Sequence, residues 1–317
     1  MLTALAILAA GLAGLWLFGP REPVVDPGFD AGLLGEDLDA YLARAEAAVP
    51  DLRSDAAKRI IWAGAKGAQT DLALIYLHGF SADRHEISPV TERLAAQLGA
   101  NLFVTRMTGH GLPGEALGAA TAADWLRDAG EALAIGRRLG RRVIVVAAST
   151  GATVAAVQAA SGQEADGYVF VSPNFRVRGR FAFLLDGPFA RFYVPLLAGR
   201  ERVWEAQNPE HAAHNTMRYP SVALVPMAAV VRVARRLDLG RVKAPLLALI
   251  DPADAVVDAG VSRRVLARWG GAMQEVAPPK VPGTDPNRHI IAGDTQSPGL
   301  TDWAVGTMAA WLAELPQ

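Results

Sequence analysis

The sequence has no cysteine and no surplus of charge of either sign. Without cysteine, the chain cannot use disulfide bonds, thiolate zinc sites or a cysteine nucleophile. Its 31 basic and 32 acidic residues give a formal net charge of -1, so it lacks the basic excess with which proteins bind a phosphate backbone. No glycine-rich phosphate loop is present either. We therefore expect neither a nucleic-acid partner nor a nucleotide cofactor, and nothing in the sequence indicates an oligomeric state.

Charge is also missing from the N-terminal segment, where residues 2–18 form one apolar run. That length is close to the lower limit for a helix that spans a bilayer. We therefore expect residues 1–19 to be an N-terminal membrane anchor, followed by a linker over residues 20–35. The alternative is a cleaved signal peptide, which would leave the protein periplasmic or secreted, although no basic residue precedes the run and no clear cleavage site follows it. Arg21 alone does not decide which side of the membrane the body occupies.

Residues 36–317 contain short apolar runs that alternate with helical patterns, which predicts an α/β domain. Continuous apolar runs are typical of strands buried on both faces of a parallel sheet, and the helices between them supply the crossovers. About 70 residues separate the fourth run from the fifth, far more than a crossover needs. We expect a helical cap inserted at about residues 174–240. The predicted strands are residues 72–77, 101–105, 142–148, 168–172 and 245–250, and the predicted helices are 36–48, 87–98, 122–139, 150–160 and 302–315.

The segment around Ser149 has the pattern of a nucleophile elbow, in which a buried strand turns sharply into a helix. Ser149 lies between the strand that ends at Ala148 and the helix that begins at about Thr150. Such a turn lifts a serine hydroxyl above the sheet and requires small neighbours two residues away on each side, here Ala147 and Gly151. The alternative is that Ser149 only caps the helix.

A second strand leads directly into His78-Gly79-Phe80, at the same edge of the predicted sheet as Ser149. The amides of Phe80 and Thr150 could together bind the oxyanion that forms when a serine attacks an acyl carbon. We expect His78 to shape this loop rather than to transfer protons, since it lies too early in the chain for the usual order of partners. The alternative is that the segment is only a tight turn.

A serine nucleophile needs a base and a carboxylate that orients the base, and both types of residue follow Ser149 in that order. Asp254 follows the fifth predicted strand, and we choose it over Asp251 and Asp258 because Asp251 abuts the strand and could brace the turn. His289 is the only histidine after this acid. Ser149, Asp254 and His289 are therefore the predicted catalytic residues.

These motifs together resemble the α/β-hydrolase superfamily, and particularly its branch of monoglyceride lipases, carboxylesterases and serine aminopeptidase-like hydrolases. The resemblance covers about residues 65–315 apart from the cap, and it rests on LHGFSAD, TGHG, AASTGA, DPAD, RHII and a tryptophan in the helix before the elbow. It implies the α/β-hydrolase fold with Ser149 as nucleophile, Asp254 as acid, His289 as base, and Phe80 and Thr150 as oxyanion donors. Two glycines common in the elbow are alanines here.

The cap raises two further questions that the sequence leaves open. Its aromatic residues could line a pocket for an apolar acyl group, or they could only attach the cap to the body; they are Phe175, Phe181, Phe183, Phe189, Phe192 and Tyr193. His211 and His214 have helical spacing, but a metal site would need a carboxylate or a further histidine, so we expect a solvated helix face.

We therefore expect a serine hydrolase that cleaves carboxylic esters of small molecules through an acyl-enzyme, without a cofactor or a metal. A lipase or carboxylesterase is the leading interpretation, and a serine aminopeptidase or thioesterase is the alternative within the same fold. A membrane-tethered binding protein that has lost catalysis is the alternative from another class. Retention of serine, acid and histidine in the right order argues against it. A carboxylate nucleophile, as in dehalogenases and epoxide hydrolases, is not expected where this chain has Ser149.

Overall fold

The computed structural model describes residues 2–315, which fold around a seven-stranded sheet. The nine strands are β1 (Arg59–Ile61), β2 (Thr70–Leu77), β3 (Asn101–Val104), β4 (Gly140–Ala148), β5 (Gly167–Val171), β6 (Glu201–Val203), β7 (Arg218–Pro220), β8 (Leu246–Leu249) and β9 (Met273–Val276). The large sheet has the order β1-β3-β2-β4-β5-β8-β9, and β6 pairs with β7 in a separate hairpin. Every pair in the large sheet is parallel except β1 with β3. This confirms the predicted α/β class.

Helices cover both faces of the sheet because its central strands bury side chains on both sides. Leu74 and Ile75 are consecutive in β2, so they point to opposite faces, and they belong to two different apolar clusters. Each face is therefore a separate hydrophobic layer. The helices are α1 (Leu2–Phe18), α2 (Leu38–Ala47), α3 (Val90–Leu98), α4 (Gly114–Ala119), α5 (Ala122–Leu139), α6 (Ser149–Ala160), α7 (Ala190–Leu197), α8 (Pro209–His214), α9 (Leu224–Ala234), α10 (Ala259–Leu266) and α11 (Thr301–Glu314).

The parallel pairing brings the carboxyl ends of β2, β4, β5 and β8 to one edge of the sheet. In the register of β2 and β4, Leu77 lies opposite Ala147. The residues that follow these strands therefore share one crevice, as is general for open α/β sheets.

The segment between β5 and β8 is less helical than the sequence predicts. It contains the β6–β7 hairpin and the short helices α7 and α8, whereas α9 packs against α6 and contributes to the main core. Prolines account for part of this fragmentation, since Pro209 is in the first turn of α8 and Pro220 ends β7. A proline has no amide to donate and fixes its own φ, so it favours element boundaries.

The prediction of an N-terminal membrane anchor is wrong. Helix α1 has 17 residues, which corresponds to about 26 Å of helix against a hydrocarbon core of about 30 Å. No helix within residues 2–315 is long and apolar enough to cross a membrane. The end of α1 instead contacts the inserted segment, where the rings of Trp16 and Phe183 meet edge to face at 6.1 Å. Apolar character alone did not reveal that the segment has contacts within its own chain.

The segment predicted to be a linker, residues 20–35, lies against the main body. Leu34 is buried in the larger apolar cluster, and Val24 and Phe29 pack against that cluster. The guanidinium of Arg191 binds the carboxylate of Glu22, with N···O distances of 2.7 and 2.6 Å. The segment therefore bridges the body and the inserted residues.

Candidate active site

Ser149 occupies a sharp turn between β4 and α6. Its φ of 47° is in the left-handed region, which is uncommon for a residue other than glycine. The packing explains why a small residue follows: a Cβ on Gly151 would lie 2.3 Å from the carbonyl oxygen of Leu77. The N-cap of α6 is Ala148, which makes no side-chain capping bond. The turn directs the Ser149 hydroxyl towards His289.

The side chains of Ser149, His289 and Asp254 form one chain of hydrogen bonds. Nε2 of His289 is 3.0 Å from Oγ of Ser149, and Nδ1 of His289 is 2.8 Å from Oδ2 of Asp254. The other oxygen of Asp254 accepts from the amides of Val256 and Val257, both at 2.8 Å. These three hydrogen bonds hold the carboxylate in one orientation, so Nδ1 of His289 carries the proton and Nε2 faces the hydroxyl.

The electrostatics of His289 suit a base with a raised affinity for protons. Burial by itself lowers the pKa of His289, but the hydrogen bond and the negative charge of Asp254 outweigh it, and the pKa lies above its ordinary value. A partner carboxylate that favours the imidazolium is what a base needs after it has taken a proton from serine.

Of the three aspartates considered after β8, only Asp254 contacts His289. Asp251 accepts from the amide of Ala253 and from Nε of Arg288, at 2.8 and 2.6 Å. Asp258 caps α10 through the amide of Val261. These two carboxylates therefore brace the loop and the helix.

The loop that carries His289 is fastened by Asp285, a residue that the sequence analysis did not single out. Its Oδ2 accepts from the amides of His289 and Ile290, both at 3.0 Å. Its Oδ1 accepts from the side-chain amide of Gln207, in the inserted segment, at 2.8 Å. Asp285 thus fixes the position of the imidazole and joins it to the cap. The only sequence signal was an aspartate four residues before the histidine.

Phe80 and Thr150, the predicted oxyanion donors, line the same pocket as Ser149. Within residues 2–315, neither backbone amide donates to an acceptor of the chain. Thr150 is in the first turn of α6, where amides lack partners inside the helix and the helix dipole favours negative charge. The pocket therefore has two amides available beside the serine.

Two buried histidines shape the loop after β2, in agreement with the expectation for His78. Nε2 of His78 accepts from the amide of Met107, and Nε2 of His110 accepts from the amide of Ser81, both at 3.0 Å. A nitrogen that accepts an amide proton carries a lone pair, so each ring accepts in its neutral form, and burial lowers the pKa of both imidazoles in the same direction. The HGF and TGHG segments are thereby linked to each other beside Phe80.

Glu86 is a second residue that the sequence analysis missed. This buried carboxylate lines the pocket and accepts from the amide of Gly79 at 2.7 Å and from the hydroxyl of Tyr76 at 2.8 Å. Burial raises the pKa of Glu86. Its bond to the Gly79 amide fixes the His78–Gly79 peptide, so Glu86 supports the loop one residue before Phe80.

The pocket above Ser149 has a volume of about 180 Å³. Its aromatic walls are Phe80, Trp204 and Tyr219, and Nε1 of Trp204 donates to the Tyr219 hydroxyl at 2.7 Å. None of the cap aromatics named from the sequence lines it: Phe175 is buried in the main core, and Phe192 is exposed. Trp204 and Tyr219, in and beside the hairpin, thus supply walls of the kind that the sequence analysis considered for the cap phenylalanines, and left open.

The other serines at strand ends lack a histidine partner. Ser81 and Ser172 also have positive φ values, of 64° and 47°. In the part of the chain that the structure describes, no imidazole bonds to either hydroxyl, and the Ser172 hydroxyl has no partner at all. Ser149 is therefore the serine to which a base is directed.

The fold is that of the α/β-hydrolases. The similar solved structures include one from a study of the metagenome-derived lipolytic enzymes LipS and LipT, with a TM-score of 0.66 and 17% identity over 83% of this chain and 100% of that chain. Monoglyceride lipase from Saccharomyces cerevisiae has a TM-score of 0.57 and 14% identity over 81% of this chain and 90% of its own. Monoacylglycerol lipase from Paleococcus ferrophilus has a TM-score of 0.54 and 14% identity, covering 78% and 98%.

A comparison of the sequence with models of protein families identifies the family of this chain. The model of the serine aminopeptidase S33 family matches residues 68–277, about two thirds of the chain. This protein belongs to that family of hydrolases. No curated protein matches it in sequence.

Proposed function

We propose that this protein is a serine carboxylesterase that cleaves esters of short apolar acids. The observation that carries the proposal is the chain of hydrogen bonds from Ser149 through His289 to Asp254. Membership of a hydrolase family supports it, and so do two amides beside the serine.

In the proposed first step, Oγ of Ser149 attacks the ester carbonyl carbon while Nε2 of His289 takes the hydroxyl proton. The carbonyl π pair moves to oxygen, and the amides of Phe80 and Thr150 bind this oxyanion. The oxyanion then re-forms the carbonyl, the C–O bond to the alcohol breaks, and the leaving oxygen takes the proton from His289. Asp254 stabilises the imidazolium in between.

The second half of the reaction returns the enzyme to its starting state. Nε2 of His289 takes a proton from water, and the water oxygen attacks the acyl carbon of the Ser149 ester. The same two amides bind the second oxyanion. The bond to Oγ breaks, Oγ takes the proton back from His289, and the carboxylic acid leaves.

The size of the pocket supports a small substrate. A volume of about 180 Å³ is below the roughly 300–1,000 Å³ of sites that enclose a drug-sized ligand. Trp204 and Tyr219 line it with their aromatic rings, and their polar atoms bond to each other. Esters of short acids match this volume better than long-chain acylglycerols.

The charges of the pocket favour an ester over a peptide with a free amino terminus. Its buried carboxylates, Glu86 and Asp285, already accept hydrogen bonds from the chain itself. An ammonium group would need a carboxylate that is not engaged. Glu205 also lines the pocket, but its side chain is exposed.

Labelling with a fluorophosphonate probe, followed by intact mass, tests the nucleophile. We expect one adduct on the wild type and none on Ser149→Ala. Ser81→Ala is the matched control, because Ser81 lines the same pocket without a histidine partner, and it should label like the wild type. A folded wild-type protein that takes no label would contradict the catalytic assignment and favour a binding protein.

A substrate comparison tests the reaction class. We expect p-nitrophenyl butyrate to be hydrolysed with a higher kcat/KM than the laurate, and amino-acid p-nitroanilides to be poor substrates. Turnover of the anilides without turnover of any ester would instead establish an aminopeptidase. Loss of either activity in Ser149→Ala shows that it belongs to this site.

A further inference from the structure

Two histidines and a carboxylate meet where the cap touches the body, on the far side of the loop that carries Phe80. One ring nitrogen of His85, one of His214 and one oxygen of Asp55 all lie within 4.8 Å of one another. They come from three separate segments: a short helical turn before β1, the loop after β2, and the end of α8. The sequence analysis required a carboxylate or a further histidine near His214 before a metal site could be considered, and the fold supplies both.

His85 is oriented as a metal ligand usually is. Its Nδ1 bonds to Oδ1 of Asp83 at 2.9 Å, and the buried Asp83 is paired with Arg53. A carboxylate that accepts from one ring nitrogen fixes the tautomer and leaves the other nitrogen with a lone pair. Nε2 of His85 is therefore the atom available to a cation.

His214 has a buried nitrogen that no hydrogen bond satisfies. Its Nδ1 lies 3.4 Å from Oδ2 of Asp55 and 3.6 Å from Oδ2 of Asp83, yet it has no hydrogen-bond partner within the described part of the chain. Buried polar atoms normally have one. The distance to Asp55 is close to the separation of about 3.3 Å between two ligands of tetrahedral zinc, given metal–ligand bonds of about 2.0–2.1 Å.

The surrounding charges suit a divalent cation. Within residues 2–315, the Asp55 carboxylate makes no hydrogen bond, and Glu210 lies 3.4 Å from Nε2 of His214. The charge of Asp83 is offset by Arg53. The charge of Arg84, whose Nε donates to the carbonyl of Asp55, is offset by Glu92 at 3.9 Å. Asp55 and Glu210 together therefore match a charge of two. Imidazole nitrogen with carboxylate oxygen is a donor set that zinc and similar transition metals prefer over magnesium or calcium.

We propose that His85, His214 and Asp55 bind a zinc-type divalent cation that fastens the end of α8 to the body. The rings of His85 and His214 are stacked, with centroids 3.7 Å apart. Because Asp83 holds the ring of His85, the ring of His214 is the one that must rotate to direct both lone pairs at one ion. The amide of Thr216 donates to the carbonyl of Ser81 at 2.6 Å just beyond His214. A cation here would hold the cap beside the candidate active site, and it takes no part in the proposed hydrolysis.

Titration of the chelator-treated protein with Zn²⁺ alone, followed by calorimetry, tests this site without any activity assay. We expect one ion per chain, and a loss of affinity of about tenfold or more in His214→Ala and in Asp55→Asn. His211→Ala is the matched control, since His211 is one turn earlier on α8 and outside the cluster; it should bind like the wild type. Asp55→Asn keeps the shape of the half-exposed side chain, so unfolding would not explain its loss of binding.

Replacement of Zn²⁺ by Co²⁺ provides a second readout, because visible absorption of bound Co²⁺ reports its ligands. We expect bands of a four-coordinate site with nitrogen and oxygen ligands, absent in His85→Ala. Absence of stoichiometric binding to the wild type would show that the cluster is only a set of ion pairs and would overturn the proposal. Equal loss in His211→Ala would also overturn it, because it would indicate adventitious binding to surface histidines.

Discussion

Two neighbouring cavities lie under the inserted segment, and they differ in how their polar side chains are bonded. Val177 and Met227 line both. The cavity above Ser149 has about 180 Å³, whereas its neighbour has about 500 Å³ and is lined by five arginines and one aspartate, Asp186. The larger cavity is lined by more charged side chains, but only the smaller one contains a serine that is hydrogen-bonded to a histidine.

In the larger cavity, the charged groups connect segments of the chain. Nε of Arg232 donates to Oδ1 of Asp186 at 2.6 Å, and its Nη2 donates to the carbonyl of Glu22 at 2.8 Å. Arg21 donates to the carbonyls of Asp186 and Trp16. In the smaller cavity, a chain of polar groups ends at one hydroxyl. Convergence on a reactive atom, rather than volume or charge, therefore identifies the candidate active site.

The largest effect should come from Asp254, the proposed acid of the candidate active site. Asp254→Asn keeps the shape but favours the wrong tautomer of His289, and we expect kcat for a short ester to fall by about 10⁴-fold. Asp186→Asn, the equivalent change in the neighbouring cavity, should leave kcat within about twofold. Steady-state kinetics on both variants checks the contrast. Comparable losses would mean that the two cavities do not differ in the way that we infer.

Glu86 should show that the candidate active site also contains a carboxylate whose role is only to support the loop. Glu86→Ala leaves the buried amide of Gly79 and the hydroxyl of Tyr76 without an acceptor, which we expect to lower the free energy of unfolding by about 3 kcal/mol. Glu86→Gln retains an acceptor oxygen and should cost clearly less. Urea denaturation of both variants measures the difference. Equal losses would indicate that the negative charge, and not the hydrogen bonds, supports the loop.

The pH dependence should report the protonation of His289, the base of the proposed reaction. Because Asp254 raises its pKa, the imidazole is protonated, and unable to act as base, up to a pH above its ordinary pKa of 6.5. We expect kcat/KM for a neutral ester to fall about tenfold per pH unit below that raised value and to reach a plateau above it. A profile with its inflection below 6.5 would contradict the cause that we assign to the shift.

The sequence predicts those features of the fold and of the candidate site that depend on local pattern. Five apolar runs gave the central strands, and the order of Ser149, Asp254 and His289 pointed to residues that the fold does bring into contact. Strand β9 was missed because its residues are mostly exposed, so it carries no apolar run. Edge strands commonly escape detection for this reason.

Hydrogen bonds between residues that only the fold brings together could not be predicted from local pattern. Asp285 and Glu86 act by accepting backbone amides that the fold brings to them, and neither belongs to a motif. The anchor prediction for residues 1–19 failed for a related reason. Hydrophobicity shows that a segment avoids water, but not whether lipid or its own chain covers it.

The smallest effect should come from an arginine of the larger cavity. Arg232→Met removes the ion pair with Asp186 and the hydrogen bond to Glu22, and we expect the free energy of unfolding to fall by about 1 kcal/mol, since partly exposed ion pairs contribute little. Arg235→Met is the matched control, because that arginine lines the same cavity and its side chain has no partner within residues 2–315; its stability should be unchanged. Ester hydrolysis should stay within about twofold in both variants. A tenfold loss in Arg232→Met alone would show that this cavity acts on the neighbouring site through Met227, and that the two cavities form one functional unit.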